Sequence, residues 1–265
     1  MLEIPIVYED DNVLIVNKPS GIAMHDSAEL KSEAVDRPAT RDTHIPFGIV
    51  SLLKKQLDIT QLHLCHRLDT GTSGCLCLAK DEITAAQIGE LFATRRVGKY
   101  YLALSAQKPK KKQGTVIGDM KNRRGGQRIL LKSTETPAIT QFFSQSAQPG
   151  IRGFIVKPYS GKTHQIRVAL KSIGAPILGD TLYAGAPSDR LHLHAWHIAI
   201  PLQQKTITAF ATINSGQHFL SHDVQQWITS LNAPETYPWP AVPQRYLASG
   251  STALNEKHLS TNDIS

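Results

Sequence analysis

The chain has 265 residues, of which 41% are hydrophobic, and its formal net charge is +7 at pH 7. This composition is that of a globular protein that buries a core, in one large domain or two small ones, rather than that of a disordered chain. No apolar run approaches the roughly 20 residues that cross a bilayer, and the N-terminus lacks a signal pattern, so we expect a cytoplasmic protein without a membrane partner.

The first predicted element is a β-hairpin. Two strand-like runs, 4–8 and 13–16, flank a cluster of acidic turn formers. The cluster at 17–21, with the sequence NKPSG, then ends the second strand. Residues 26–43 are polar and lack hydrophobic periodicity, so we expect a mobile loop there, followed by a short helix at 47–57.

Asp69 lies in a polar loop, residues 66–74, with the sequence HRLDTGTSG. The apolar run 75–79 that follows is short and bounded by polar residues, which is typical of a buried strand. A loop held by a rigid strand commonly carries catalytic groups, and one rich in hydroxyls, glycines and charge has little to offer a core. We therefore expect a functional carboxylate at Asp69. The alternative is a turn that Asp69 caps through its own backbone.

A helix is predicted after this strand. Asp81 can cap its start, and Gly98 lies past its end. Its apolar side chains recur at helical spacing: Ala85, Ile88, Leu91 and Phe92. A strand is predicted next at 100–104, and an exposed lysine-rich loop at 108–112.

Basic residues accumulate beyond that strand. The lysines of 108–112 are followed by Arg123, Arg124 and Arg128. Such a run is usually a solvated turn, although here it could form a rim for phosphate contact. With the net charge of +7, it favours a polyanionic partner, nucleic acid being the first candidate.

Strand-like runs dominate the rest of the chain. They occur at 129–131, 140–143, 154–156, 191–200 and 206–211. The mixture of these strands with the helices predicts an α+β fold. We expect one domain over residues 1–232. The segment 233–265, rich in proline and then in polar residues, should lie along the surface before fraying into disorder.

Another helix is predicted to open near Thr163, its candidate cap, and to stop at Gly174. His164, Arg167 and Lys171 share a face of this helix that is distinct from its apolar stripe. That face could meet a carboxylate or phosphates. The alternative is an amphipathic helix whose basic side faces solvent.

Cysteines and histidines give weaker signals. The three cysteines are too few for a disulfide framework. His192 and His194 alternate along a predicted strand and could be metal ligands, but zinc would need a third or fourth ligand at a recognisable spacing. We therefore expect a half-buried strand whose polar side meets solvent or RNA, and no metal site.

Four motifs follow one another along the chain. They are HRLD with TSG at 66–74, KYYLAL at 99–104, GKTHQIR at 161–167, and GAPILGD with a tyrosine at 174–183. In this order they resemble the motifs of RluA-type pseudouridine synthases, and the resemblance runs from residue 6 to residue 211. The histidine that opens the first motif, where the related RsuA-type enzymes usually have glycine, favours the RluA-type branch.

The chain departs from the usual family pattern at two positions. Lys162 stands where family members usually carry arginine, and Ala169 where they usually carry histidine. Lysine cannot reproduce the bidentate fork of arginine, so we expect altered phosphate contacts at Lys162. We expect Ala169 to alter the helix packing near the site.

The resemblance implies an RNA uridine isomerase with the pseudouridine synthase catalytic fold, a mixed and largely antiparallel sheet with flanking helices. It implies that Asp69 is the catalytic aspartate, that Tyr101 lies against the target uracil, and that Arg167 pairs with Asp69. We further expect Arg67 and His164 to contact the RNA. Because the isomerisation gains or loses no atoms or electrons, we expect no cofactor.

The expected partner is ribosomal or transfer RNA, bound by a monomer. Many family members carry a small extra RNA-binding module before the catalytic domain, and we expect this chain to lack it. Recognition would then use the loops at 27–44 and 108–128. Two alternatives stay open: a nucleoside or glycoside hydrolase that uses Asp69 with Asp180, and an RNA-binding protein with a vestigial site. Otherwise Asp180 is expected to be a turn or cap residue.

Overall fold

A ten-stranded mixed sheet forms the centre of the molecule. The computed structural model describes residues 3–27 and 47–246. The strands are β1 (Ile6–Glu9), β2 (Val13–Lys18), β3 (His63–Leu64), β4 (Ser73–Ala79), β5 (Gly98–Ser105), β6 (Gln113–Gly118), β7 (Met120–Asn122), β8 (Arg128–Leu130), β9 (Ala138–Gln148), β10 (Ile151–Pro158), β11 (Leu193–Leu202) and β12 (Lys205–Phe210). The helices are α1 (Ile49–Leu57), α2 (Glu82–Ala93), α3 (Gln165–Ser172) and α4 (His222–Thr229).

The sheet is largely antiparallel, as predicted. Its order is β1-β2-β4-β11-β5-β10-β9-β6, with β12 paired to β11 and β3 paired to β4, while β7 and β8 form a separate hairpin. The pairing of β4 with β11 is parallel, with His194 opposite Ser73 and Ala195 opposite Gly74. This parallel pairing lies at the end of the Asp69 loop, so it fixes where the loop enters β4.

Both faces of the central strands are covered, which explains their continuous apolar runs. On β2, Leu14 and Val16 face one core cluster, together with residues of α1 and α3. Val13 and Ile15 face the opposite cluster, together with residues of α2. Because strand side chains alternate in direction, one strand contributes to both cores.

Most predicted elements are confirmed. β1 and β2 pair as an antiparallel hairpin, and α1 occupies the predicted helix near 47–57. Asp81 caps α2 as expected, since its carboxylate accepts a hydrogen bond from the Thr84 N–H at 2.8 Å.

The predicted cap of α3 is wrong. The residue before the helix is His164, in the left-handed region at φ 59°, and it makes no side-chain cap hydrogen bond. Histidine is among the residues enriched in this region. Thr163 is therefore displaced from the cap position by one residue. The predicted stop holds, because Gly174 adopts φ +82° just past the helix end.

Several elements were not predicted: β3, β6, β7 and α4. The segment from residue 233 packs on the sheet as far as the structure describes it, with the Trp239 ring 5.0 Å from Phe143 and 5.9 Å from Tyr100. Residues 28–46 and 247–265 lie outside the described residues. They include most of the expected loops at 26–43 and 27–44 and the end of the segment that was expected to fray into disorder. Within 3–27 and 47–246, no helix is both long and apolar enough to cross a bilayer.

Candidate active site

The Asp69 loop is a tight turn fixed to the start of β4. The Thr72 N–H donates to the Asp69 carbonyl at 2.9 Å, which closes the turn. Leu68 is buried on one side of it. The Asp69 carboxylate does not cap this turn; it points instead at Arg167, so the purely structural alternative for Asp69 does not describe its side chain.

The NKPSG segment holds the backbone of this loop from behind. Lys18 is fully buried, and its Nζ donates to the Ile22 carbonyl at 2.9 Å and to the Thr70 carbonyl at 3.2 Å. The Ser20 hydroxyl donates to the Gly71 carbonyl at 2.7 Å. Burial and the nearby Arg190 lower the pKa of Lys18 to about 7. Sequence reasoning assigned this segment only the end of a strand.

His66 attaches the other end of the loop to β4. Its Nε2 accepts a hydrogen bond from the Cys77 N–H at 2.9 Å, and its ring stacks on Phe92 at 4.4 Å. Burial, with a contribution from Lys99, lowers the pKa of His66 to about 3, so the ring is neutral at pH 7. The loop is thus held at both ends before any substrate binds.

Gln165 positions the start of α3. Its side-chain oxygen accepts from the Ser160 hydroxyl at 2.8 Å and from the Lys162 N–H at 3.0 Å. Its amide nitrogen donates to the Ile139 carbonyl and to the Thr140 hydroxyl, both at 3.0 Å. This buried amide uses both its acceptor and its donors, so the first turn of α3 is tied rigidly to β9.

Arg167, one turn into α3, joins two carboxylates. Its Nε and Nη2 donate to the two oxygens of Asp180 at 2.8 Å each. Its Nη1 donates to Asp69 Oδ2 at 3.3 Å. Burial opposes the charge of Arg167, but Asp180 and Asp69 outweigh this effect and raise its pKa. A permanent cation therefore lies beside Asp69.

Asp180 was expected to be a turn or cap residue. It does lie in a turn, since its N–H donates to the Ile177 carbonyl at 3.0 Å, but its side chain is not a cap. Its side chain is fully buried and makes no cap hydrogen bond to the short 3-10 helix Thr181–Tyr183 that follows it. The reason is its bidentate pairing with Arg167, which uses both carboxylate oxygens.

His164 lies between Asp69 and Tyr183. Its Nε2 is 4.0 Å from Asp69 Oδ2, and its Nδ1 is 3.0 Å from the Tyr183 hydroxyl. Burial lowers the pKa of His164 although Asp69 opposes the shift, which favours the neutral ring. Tyr183 already accepts a hydrogen bond from the Arg128 N–H at 2.9 Å, so its own proton is free for His164 Nδ1. A neutral His164 whose Nδ1 accepts from the Tyr183 hydroxyl carries its proton on Nε2, facing Asp69.

These groups border a cavity of about 470 Å³, a volume typical of small-molecule sites. Asp69, Tyr101 and Arg167 all line it, as do His164 and Arg67. The structure thus brings every predicted site residue to one cavity.

Tyr101 is the aromatic side chain of this group, and it lies on β5 in the middle of the sheet. Its side chain is almost completely buried. Burial and the Asp69 charge raise its pKa well above the usual tyrosine value, so the phenol is protonated at pH 7.

The two departures from the family pattern have different surroundings. The Lys162 ammonium donates to the Thr136 carbonyl, so it braces the segment that precedes β9. Ala169 is buried on α3. Lys99 was quoted in the motif but not given a role; it lines the cavity, and its Nζ lies 3.5 Å from the Ser160 carbonyl.

The predicted strand histidines are structural. His194 Nδ1 is hydrogen-bonded to the Ser73 hydroxyl at 2.8 Å and its Nε2 to the Ala211 carbonyl at 2.9 Å. His192 Nδ1 bonds the Arg190 carbonyl at 2.9 Å. Among residues 3–27 and 47–246, no group of three or more His, Cys, Asp or Glu side chains could hold a metal ion.

Comparison with known proteins gives consistent matches. A family model described as RNA pseudouridylate synthase matches residues 12–172. A protein of Haemophilus influenzae named "Uncharacterized RNA pseudouridine synthase" is 41% identical over 229 residues, which cover 86% of this chain and 95% of that protein. The dual-specificity RNA pseudouridine synthase RluA of Escherichia coli is 30% identical over 204 residues, covering 74% of this chain and 85% of that protein.

Solved structures agree with the sequence comparisons. The human protein RNA Pseudouridylate Synthase Domain Containing 4 superposes with a TM-score of 0.64 at 25% identity, covering 83% of this chain and 93% of that chain.

Proposed function

The chain belongs to the RNA pseudouridylate synthase family, and from that premise we propose that it isomerises uridine to pseudouridine in a structured RNA, with Asp69 as its catalytic carboxylate. The supporting observation is the position of Asp69. Its side chain is 23% exposed, contacts Arg167 at 3.3 Å and borders a cavity that Tyr101 also lines.

The reaction is a rearrangement within one nucleotide. The bond between ribose C1′ and uracil N1 breaks, the base turns, and a bond forms between C1′ and C5. The proton that leaves C5 is balanced by the proton that N1 gains. The sum of atoms and electrons is unchanged, so the chemistry asks for a nucleophile or base and for groups that hold the base while it turns.

Asp69 must be ionised for this task. The Arg167 guanidinium, 3.3 Å from Asp69 Oδ2, is the counter-ion of that anion. Two routes use the anion: attack on ribose C1′, or removal of a ribose proton. In both, the carboxylate must face the ribose of a nucleotide drawn into the cavity.

Tyr101 supports the uracil while its bond to the ribose is broken. Its ring offers a flat surface for a base drawn out of a helix or loop. Because its pKa is raised, the hydroxyl stays a hydrogen-bond donor rather than a base. Tyr101 therefore positions the uracil, while Asp69 acts as the nucleophile or base.

His164 and Arg67 contact the RNA around the reacting nucleotide. The Nε2–H of a neutral His164 points toward Asp69 and can donate to an oxygen of the bound nucleotide. Arg67 is exposed at the same cavity, where its guanidinium suits a phosphate.

Ribosomal or transfer RNA is the proposed substrate. The support is the resemblance to RluA-type enzymes together with the net charge of +7. The monomeric state and the cytoplasmic location stay predictions.

The structure does not support the two-carboxylate hydrolase. Such an enzyme needs a second carboxyl group that can reach the scissile bond. Asp180 is fully buried, and Arg167 occupies both of its oxygens. It therefore has no oxygen available for a substrate.

The test is carbodiimide mapping of pseudouridine in total RNA from cells with and without the gene. Loss of a modified position in the deletion strain identifies the substrate. Plasmids then supply the wild-type chain, Asp69→Asn, or the control Asp58→Asn, which changes an exposed aspartate in a left-handed position that asparagine tolerates. We expect the wild type and the control to restore the position and Asp69→Asn to leave it unmodified. Restoration by Asp69→Asn would refute the assignment.

A further inference from the structure

A second cavity, of about 530 Å³, lies beside the Asp69 cavity, with Tyr183 in its wall. Its other walls are α3, the hairpin of β7 and β8, and the short 3-10 helix Thr181–Tyr183. The hairpin is fixed against this 3-10 helix by two hydrogen bonds of 2.9 Å. These run from the Gln127 amide to the Leu182 carbonyl and from the Arg128 N–H to the Tyr183 hydroxyl.

The lining of this cavity is apolar and basic. Val168, Leu182 and Ile129 provide its apolar surface. The cations are Arg123, Arg128 and Lys171. None of the described residues that line the cavity is acidic. An occupant should therefore combine a flat or apolar group with negative charge.

Arg128 lies in the wall of this cavity. Its Nε is buried and has no hydrogen-bond partner among the described residues. That nitrogen is shielded from solvent, so Arg128 contributes its charge to the cavity and not this donor. The Arg128 charge also reaches His164, where it contributes to the lowered pKa of that ring.

The side chains of His164, which lines the Asp69 cavity, and Tyr183, which lines the second cavity, are in contact. The imidazole of His164 is 4.0 Å from Asp69 on one edge and 3.0 Å from the Tyr183 hydroxyl on the other. A nucleotide next to the reacting uridine in the same strand is thus placed to reach the second cavity.

We propose that the second cavity binds an unpaired nucleotide that neighbours the target uridine in the RNA, with its base on the apolar wall and its phosphate on Arg128 and Lys171. The inference rests on the proposed function and adds a second recognition site to it. Protein sites for single-stranded RNA commonly take several bases that are turned out of the stack. The volume, the cations and the missing carboxylates of this cavity suit such a ligand.

A binding experiment tests the proposal without relying on catalysis. The probe is fluorescein-labelled decauridine, and the readout is fluorescence anisotropy over a series of salt concentrations. Lys171→Glu is compared with Lys55→Glu, because both lysines are exposed and lie in the last turn of a helix. We expect Lys171→Glu to raise the Kd about tenfold and to reduce the salt slope by about 0.7, the value for one phosphate contact with single-stranded RNA. Lys55→Glu should match the wild type in salt slope.

A second probe separates base recognition from phosphate contact. A decamer of abasic ribose phosphates keeps the charges of decauridine but has no bases. We expect the wild type to prefer decauridine, and Leu182→Asp, which makes the apolar wall polar, to reduce that preference. Photo-crosslinking of a decamer that contains 4-thiouridine should label peptides that include residues 129–130 or 181–184.

The outcomes distinguish this inference from the proposed function. If Lys171→Glu and Lys55→Glu bind decauridine alike and no crosslink falls in the cavity, the inference is wrong even if the enzyme makes pseudouridine. Equal binding of decauridine and the abasic decamer by the wild type would also overturn it, since the cavity would then contact phosphate only. If the wild type makes no pseudouridine, the proposed function fails, and the crosslink still reports whether the cavity binds RNA.

Discussion

Replacing Arg167 with methionine should destabilise the fold and abolish activity for two separable reasons. The side chain of Asp180 is fully buried, and both of its oxygens bond Arg167 at 2.8 Å. Removing one partner of a buried ion pair leaves an uncompensated charge, which costs about 3–5 kcal/mol. Since a native domain has about 5–15 kcal/mol of unfolding free energy, Arg167→Met should still fold, with much reduced stability.

The double variant Arg167→Met/Asp180→Leu separates the two effects. It replaces the ion pair with apolar side chains, which is often neutral or stabilising, so most of the lost stability should return. Activity should not return, because Asp69 still lacks its counter-ion, and we expect a loss of about 100-fold or more in both variants.

Urea unfolding and pseudouridine formation on RNA from the deletion strain measure the two quantities. Lys55→Met, in the last turn of α1 and exposed, is the control and should stay within about 0.5 kcal/mol of the wild type. The reasoning fails if Arg167→Met is as stable as the wild type. It also fails if the double variant regains activity with its stability, because Arg167 would then be structural only.

Other outcomes follow from close packing and from buried titratable groups. Gly74→Ala should destabilise the fold strongly, because the new Cβ would lie 2.2 Å from the Ala195 carbonyl oxygen and position 74 has φ +110°. Gly89→Ala, at a position in α2 with open space around it, should raise the unfolding free energy by about 0.5–1 kcal/mol. Thermal unfolding of both variants tests the comparison. The unfolding free energy should fall by about 2 kcal/mol per buried histidine from pH 7 to pH 5, because the unfolded chain then takes up protons that the folded chain refuses. Burial lowers these pKa values from 6.5 to about 3 or about 4, in His66, His192 and His194. A flat stability profile in urea titrations would contradict this. Burial and Arg95 lower the pKa of Lys99 to about 8, so RNA affinity should weaken from pH 7 to pH 9 in the wild type and change less in Lys99→Met, as measured by anisotropy.

Local signals predicted most of the fold. The hairpin of β1 and β2 and the cap at Asp81 depend on residues within a few positions of one another, and both are found where the sequence placed them. β6 and α4 were missed. The pattern of β6 is weak, since it is half-buried and depends on pairing with β9. The apolar side chains of α4 are packed in a cluster that only the folded sheet provides.

The sequence predicted which residues line the site but not the contacts that hold them in place. The ordered motifs indicated Asp69, Tyr101 and Arg167 as site residues, and their side chains line one cavity. Lys18 was assigned only to the end of a strand, although it donates a hydrogen bond to the Thr70 carbonyl, 52 positions away in the sequence. Asp180 was expected to be a turn or cap residue, and its pairing with Arg167 was not predicted. Contacts of this kind are set by tertiary structure, and no local pattern records them.

Arg167 divides its contacts unequally between two carboxylates, and under the proposed function this division leaves Asp69 free to reach a substrate. Asp180 takes the bidentate geometry at 2.8 Å, while Asp69 receives a single contact at 3.3 Å to one oxygen. A full bidentate pair with Asp69 would occupy both of its oxygens, which under the proposed function must reach the ribose. The buried Asp180 therefore limits how strongly Arg167 binds Asp69. It leaves a carboxylate that is fixed by the turn at Thr72 and still borders the cavity.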